Sequence, residues 1–428
     1  MKLRVTPVRE LNGRITVPGD NSISHRAVML GSLAGGTTEI TGFLRGKDCL
    51  STVRCFRALG VPIKISDDTV TIRGRGLYGL REPESVLNAG NSGTTIRLIL
   101  GILAGQTFSS VLTGDGSIRR RPMGRVTGPL RAMGACIIGR DNGNLAPLAI
   151  KGGNLKPYSY NLPVASAQVK SALLLAGLYA RGWTQIREPV PSRNHTELML
   201  ASFGAQIERE NDCVRVKGEP ELTGRKVVVP GDISSAAFFM VAGLIVPQAK
   251  VIIESVGLNP TRDGIIEALR AMGAKIKISD RKTVAGEEMG TVEIESSDLQ
   301  GITVGGEIIP RLIDEIPVLA VAALFARGVT EIRDAAELKV KESNRIAAVC
   351  EGLSRLGARV EELPDGLRIH GGHPLTGAAC RSFRDHRIAM ALAVAGLRAR
   401  GETVIEDAEA IGISFPSFTT IMDRLKGV

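Results

Sequence analysis

The chain has 428 residues, 43% of them hydrophobic, which suffices for two or three domains with full cores. Its longest apolar runs, such as AAFFMVAGLIV at 236–246, fall short of the roughly 20 residues a bilayer span needs. The net charge of +10 points to an anionic partner, either nucleic acid or a small, highly charged substrate.

Aromatic residues make up only 4% of the chain, which favours the small substrate, because single-strand binders need stacking platforms. The N-terminus MKLRVTPVRELNG has no apolar signal stretch, so a soluble, cytoplasmic protein is expected, without membrane or nucleic-acid partners. Cys49, Cys55, Cys136, Cys213, Cys350 and Cys380 show no C-x-x-C spacing and read as reduced, structural thiols. His370 and His373 in the turn HGGHP read as an exposed loop, so no metal or other cofactor is expected.

In chain order, the first predicted helix follows VPGDNSISHRA (17–27), where small polar residues and Arg26 lead into AVMLGSLAG. The second follows NSGTTIR (91–97), the third SAQVKS (166–171), the fourth GDISS (231–235), the fifth LIDEIP (312–317) and the sixth RDHRIAM (384–390). Each of these helices is apolar nearly all round, the mark of a helix buried on every side. Their endings recur as GSLAGGTTEI, GILAGQTFSSV, AGLYARGWTQI, AGLIVPQAKVI, AALFARGVTEI and AGLRARGETVI, starting at 31, 101, 176, 242, 322 and 395. A helix, a glycine or proline stop and a β-rich run form the repeated unit.

After most of these comes a second amphipathic helix, turn and strand: FRALGVPIKI, LRAMGACII, LASFGAQIE, LRAMGAKIKI and LSRLGARVEE. The sixth copy ends in IMDRLKG instead. A period of about 70 exceeds that of solenoid repeats, so each copy reads as a small α/β subdomain, three to a domain. The boundaries predicted are 17–229 for one domain and 1–15 plus 232–428 for the other, joined by two crossings.

The polar first turn of each buried helix admits two readings. Unpaired N–H groups and the positive dipole end make an anion site, or the residues are N-caps, which Ser, Asn and Asp favour anyway. Arg26, Arg97 and Arg387 in these turns tilt the balance toward ligand binding. In LIDEIP, Asp314 and Glu315 point about 100° apart around a helix, so one of the two is expected to be buried.

PGDNSISHRA, NAGNSGTTIRL, GDGSIRRRPMGRV, SAQVKSALLLAG, SRNHTE, LIDEIPVLAVAA, LKVKESNRI, DHRIAMALAVAG and SFPSF occur in this order over nearly the whole chain. Together they resemble the 5-enolpyruvylshikimate-3-phosphate (EPSP) synthase family. The resemblance implies an α/β fold of two similar domains, each of three βαβαββ subdomains around buried helices, with a ligand cleft between them. It also implies the substrates shikimate 3-phosphate and phosphoenolpyruvate, glyphosate as inhibitor, and a monomer.

By the same resemblance, Ser22, Arg26, Ser166, Ala167, Gln168, Arg193, Asp314 and Lys341 hold shikimate 3-phosphate. Asn21, Gly93, Arg121, Gln168, Arg345, His386 and Arg387 hold phosphoenolpyruvate. Asp314 is the implied base for the 5-hydroxyl, and Glu342 handles the proton at the methylene carbon. Glu342 and Arg345 also fit an ordinary i,i+3 surface pair. Of the run Arg119 to Arg121, only Arg121 adjoins the Arg-Pro turn shared with the family.

The sequence departs from the family pattern at Asn21, where a lysine is usual, at Asn344, where aspartate is usual, and at Arg384 and Ile413. Two other readings stand beside this one. The UDP-N-acetylglucosamine enolpyruvyl transferases have the same fold and a reactive cysteine in the loop that here reads GDGSIRRRP, where Gly116 stands instead. A basic nucleic-acid-binding protein fits the pI of about 9.5.

Overall fold

The computed structural model describes residues 1–66 and 69–427. The chain forms two compact units. The N-terminal unit comprises Gly19–Val229 and Val284–Glu287, and the C-terminal unit comprises Met1–Pro18, Pro230–Thr283 and Glu288 onward. The chain therefore passes from one unit to the other four times, not the two expected. The reason is a hairpin tip: buried Glu287 accepts a hydrogen bond from His195 Nδ1 at 2.6 Å, a partner 92 residues away.

Among the described residues each unit carries three small sheets, and they follow one plan. Thr37–Thr41 lies parallel to Lys226–Val228 and antiparallel to Thr69–Arg73, which Ile63–Ser66 borders in turn. The same order recurs around Ser109–Thr113 and Trp183–Arg187. In the C-terminal unit it recurs around Lys250–Gly257 and Val329–Ile332. Two of its sheets take in strands from the chain's start: Asn12–Thr16 pairs with Lys250–Gly257, and Leu3–Val5 pairs with Thr403–Glu406. The sixth copy thus completes its sheet with the N-terminal strand and ends in the Phe418–Leu425 helix.

Alternation sets the faces of these strands. Ile40 and Val70 pair across the ladder and are buried, while Glu39 and Thr41 on the opposite face are exposed.

Each core is built on three central helices: Asn21–Leu33, Gly93–Ala104 and Ala167–Gly177 in the N-terminal unit, and Ile233–Ile245, Ile316–Leu324 and His386–Gly396 in the C-terminal unit. Beyond the first turn almost every residue of these helices is buried. The Gly93–Ala104 helix packs directly on its neighbour at Gly101, where a Cβ would sit 2.1 Å from the Ala172 carbonyl oxygen. Only glycine allows that approach.

Candidate active site

Five of the six central helices carry a capping side chain: Asp20, Ser92, Ser166, Asp232 and Asp385 each accept a backbone N–H of the first turn. The N-cap reading of these polar turns is therefore realised. The caps leave further side chains of the same turns free to gather charge, and they do so separately in each unit.

In the N-terminal unit the three helix starts are tied together through arginines. Arg26 is buried, and its guanidinium donates to Thr196 Oγ1 at 2.6 Å, to Ser171 Oγ at 2.7 Å and to the Ser22 carbonyl at 2.9 Å. Burial, opposed by Glu197 and Asp20, lowers its pKa to about 10. Gln168 joins two helices, accepting from Arg97 Nη1 at 2.5 Å and donating to Thr94 Oγ1 at 3.0 Å.

Gly93 opens its helix between two cations. A Cβ there would lie 3.2 Å from Arg121 Nη1 and 3.3 Å from Arg97 Nη1. Arg121 is buried and donates to Asn91 and Ser117, whereas Arg119 and Arg120 are exposed. Arg193 is half-buried, and its charge acts on Arg26. Ser166 and Ala167 begin the third helix, half-buried. Asn21 is also half-buried, its Oδ1 and carbonyl oxygen each 3.8 Å from Cys49 Sγ.

In the C-terminal unit one carboxylate is the hub. Asp314 Oδ1 accepts from Arg345 Nη1 at 3.2 Å and Lys341 Nζ at 3.3 Å, and Oδ2 lies 4.0 Å from Arg387 Nη2. Arg387 also donates to the Asp314 carbonyl at 3.0 Å. Arg345, 1% exposed, further binds Asp385 Oδ2 at 2.9 Å and Glu342 Oε2 at 2.6 Å. Burial lowers its pKa, but Asp385, Glu342 and Asp314 outweigh that and raise it.

One expectation is corrected here. Asp314 and Glu315 are both buried, because Asp314 lies in a turn ahead of the Ile316–Leu324 helix and the helical 100° offset does not apply. Glu315 is held there by Ser234 Oγ, with Arg262 at 3.6 Å and Arg387 at 3.8 Å. Glu342 and Arg345 do pair, but not as a surface pair, since Arg345 starts a helix inside the core and Glu342 precedes it in a bend.

His386 opens the sixth helix, and burial pushes its pKa down to about 4. At neutral pH the ring is uncharged, and its Nδ1 is buried without a hydrogen-bond partner. His370, expected in an exposed loop, instead ends the Gly366–His370 strand, half-buried, and bonds Glu361 at 2.9 Å.

Ser171, Thr196, Asn91, Arg262 and Ser234 were not singled out from sequence. Ser171 could have been, as the second hydroxyl of SAQVKS; the others carry no local signal.

With this geometry in view, the comparisons decide the family. The EPSP synthase (3-phosphoshikimate 1-carboxyvinyltransferase) model matches residues 5–422. The chain belongs to the EPSP synthase family. The 3-phosphoshikimate 1-carboxyvinyltransferase of Desulforamulus reducens is 57% identical over 426 residues, 99% of each chain. That of Desulforudis audaxviator is 59% identical over the full length of both chains. A solved EPSP synthase from Acinetobacter baumannii is 44% identical, covers 99% of this chain and 98% of its own, and has a TM-score of 0.89. The enolpyruvyl transferase NikO from Streptomyces tendae, 17% identical with a TM-score of 0.81 and covering 99% of this chain and 96% of its own, shares the fold. As an EPSP synthase family member the chain is a transferase, and the UDP-N-acetylglucosamine reading is not favoured.

Proposed function

We propose that this chain transfers the enolpyruvyl group of phosphoenolpyruvate to the 5-hydroxyl of shikimate 3-phosphate by addition and elimination, releasing phosphate. The observation that carries the proposal is the set of three cations, Lys341, Arg345 and Arg387, arranged around Asp314. Both substrates are anionic, and fixed guanidinium forks offset such charge at little reorganisation cost.

In this reading Ser22, Arg26, Ser166, Ala167, Gln168, Arg193 and Lys341 bind shikimate 3-phosphate. Gly93, Arg121, Gln168, Arg345, His386, Arg387 and Asn21 bind phosphoenolpyruvate, so the two sets of groups serve one pair of substrates. Asp314 takes the proton of the 5-hydroxyl as it attacks C2, while Glu342 delivers one to the methylene carbon. The tetrahedral adduct then loses phosphate as a proton returns from the methyl group to Glu342, and the proton held by Asp314 leaves with the phosphate. The enzyme works as a cytoplasmic monomer without a cofactor, and glyphosate competes for the phosphoenolpyruvate groups. The test is phosphate release that requires both substrates; no release with both present, or release with a different acceptor only, overturns the reading.

Asn21 is the weak point of this site. Its amide can donate a neutral hydrogen bond, worth about 0.5–1.5 kcal/mol, where a charged donor contributes about 1.5–3 kcal/mol. The wild-type chain is expected to fold normally and turn over feebly. Asn21→Lys is expected to raise kcat/KM by at least about 10-fold, equivalent to about 1.4 kcal/mol. A fully active wild-type chain that gains nothing from lysine would mean that another cation serves, with Arg120 and Arg384 the exposed candidates.

Gly93→Ala places a methyl group against the tips of Arg121 and Arg97, at 3.2 and 3.3 Å. Those tips can shift by a few tenths of an ångström, so phosphoenolpyruvate binding is expected to drop modestly. Glyphosate is longer and has less room, so its inhibition constant should rise at least about 10-fold more than the KM for phosphoenolpyruvate. Equal changes in the two constants would place Gly93 outside the pocket.

A further inference from the structure

A chain of four buried polar side chains runs through the N-terminal unit beneath the groups just described. His25 Nδ1 lies 2.7 Å from Thr52 Oγ1, and Thr52 Oγ1 lies 2.7 Å from Thr95 Oγ1. Thr95 Oγ1 donates to Ser92 Oγ at 2.8 Å, and Ser92 Oγ also accepts the Thr95 backbone N–H at 3.1 Å. All four residues are fully buried, within or just ahead of the Asn21–Leu33, Lys47–Ala58 and Gly93–Ala104 helices.

Proton counting gives this chain one direction. A threonine hydroxyl has one hydrogen to donate. Thr95 spends its own on Ser92, so it accepts from Thr52, and Thr52 accepts from His25 Nδ1–H. The imidazole is thereby fixed as the Nδ1–H tautomer. Burial, and then the charge of Arg26, push its pKa down to about 3, so the ring stays neutral and the order of donors holds at any working pH.

Core stability does not call for this arrangement. His25 Nε2 is buried without a partner, and apolar residues of similar shape could fill the same space at no loss. What a directed polar chain supplies is a single geometry. One end is the residue before Arg26, and the other is the residue before Gly93, which stands between Arg97 and Arg121.

We propose that the His25–Thr52–Thr95–Ser92 chain sets the Ser92–Gly93 turn, making His25 and Thr52 positioning residues for the phosphoenolpyruvate end of the site. The proposal rests on the reading that Gly93 and Arg121 serve that substrate.

The test is Thr52→Val, which keeps shape and removes the link. It is expected to raise the KM for phosphoenolpyruvate about 3- to 10-fold while kcat and the KM for shikimate 3-phosphate stay within about twofold. Thr52→Ser should restore wild-type values. His25→Asn, whose amide can donate where Nδ1–H stood, should lie near wild type, and His25→Leu should match Thr52→Val. Should Thr52→Val fail to fold, Thr52→Ala has the same expectations.

Hydrogen exchange of the backbone over residues 91–97 gives a readout independent of turnover: faster in Thr52→Val, unchanged in Thr52→Ser. A folded Thr52→Val with unchanged KM and exchange overturns the proposal. So does an equal rise in both KM values, or a serine variant as impaired as valine. A wild-type chain inactive on these substrates would defeat the functional reading instead, and exchange would still judge whether the chain sets the turn.

Discussion

Asp314→Asn is expected to lower turnover at least about 100-fold, about 2.7 kcal/mol, with substrate KM values largely kept. The amide is isosteric with the carboxylate, and its oxygen can still accept from Lys341 and Arg345, which lie 3.3 and 3.2 Å from Oδ1. Arg345 also keeps Asp385 and Glu342, so the fold should survive. What disappears is the group that takes the hydroxyl proton. Steady-state phosphate release, with a thermal midpoint measured alongside, checks this. Unchanged turnover would move the base elsewhere, with Glu342 the first candidate. A raised KM with intact kcat would make Asp314 a binding group only.

Arg345→Met is expected to cost about 3–5 kcal/mol of stability at pH 7.5, the usual result of removing one partner from a buried charge cluster. Three carboxylates, Asp314, Glu342 and Asp385, would lose their shared guanidinium. In the wild type, burial raises the Asp385 pKa, but Arg345 more than compensates and holds it below the ordinary carboxylate value. A folded pKa below the unfolded one, about 3.9, gives stability that is present above the unfolded value and lost as pH falls through the folded one.

In the variant Lys341 and Arg387 stay beside Asp314 and the Arg387 backbone N–H still donates to Asp385. Without the shared guanidinium, burial and mutual repulsion outweigh them and the sign reverses: protonation favours the fold. Lowering the pH from 7.5 to 5 should therefore raise the variant's stability towards that of the wild type, which should change little over that range. Urea denaturation at the two pH values measures both. A gap that is the same at pH 5 and 7.5 would show that lost packing, not stranded charge, is the cost.

Much of the architecture is written in local pattern. The six helices apolar on every side, each followed by a glycine or proline stop and a β-rich run, announce six copies. Among the described residues there are six small sheets around those helices. Helix starts were equally legible, since Asp, Ser and Asn reveal themselves by type and position, and Asp20, Ser92, Ser166, Asp232 and Asp385 all cap. Arg121 could be told from Arg119 and Arg120 by the resemblance, because it adjoins the Arg-Pro turn shared with the family, and it alone of the three is buried.

The partners of these groups were not legible. Arg26 is held by residues 145 and 170 positions away. Lys170, within an apolar helix, proves to be a buried cation between Glu188 and Glu197. The strands Leu3–Val5 and Asn12–Thr16 complete sheets begun hundreds of residues later, and the tip at Val284–Glu287 joins the N-terminal unit.

The sequence by itself determined the repeat, the fold class and the residue types at each helix start. Periodicity, stops and caps depend on interactions within about four residues of chain. Tertiary structure alone decided which charges are buried and with whom, including the burial of both Asp314 and Glu315. Removing a charge from water is tolerable only where a partner stands within hydrogen-bonding distance, and folding brings that partner from a distant part of the chain.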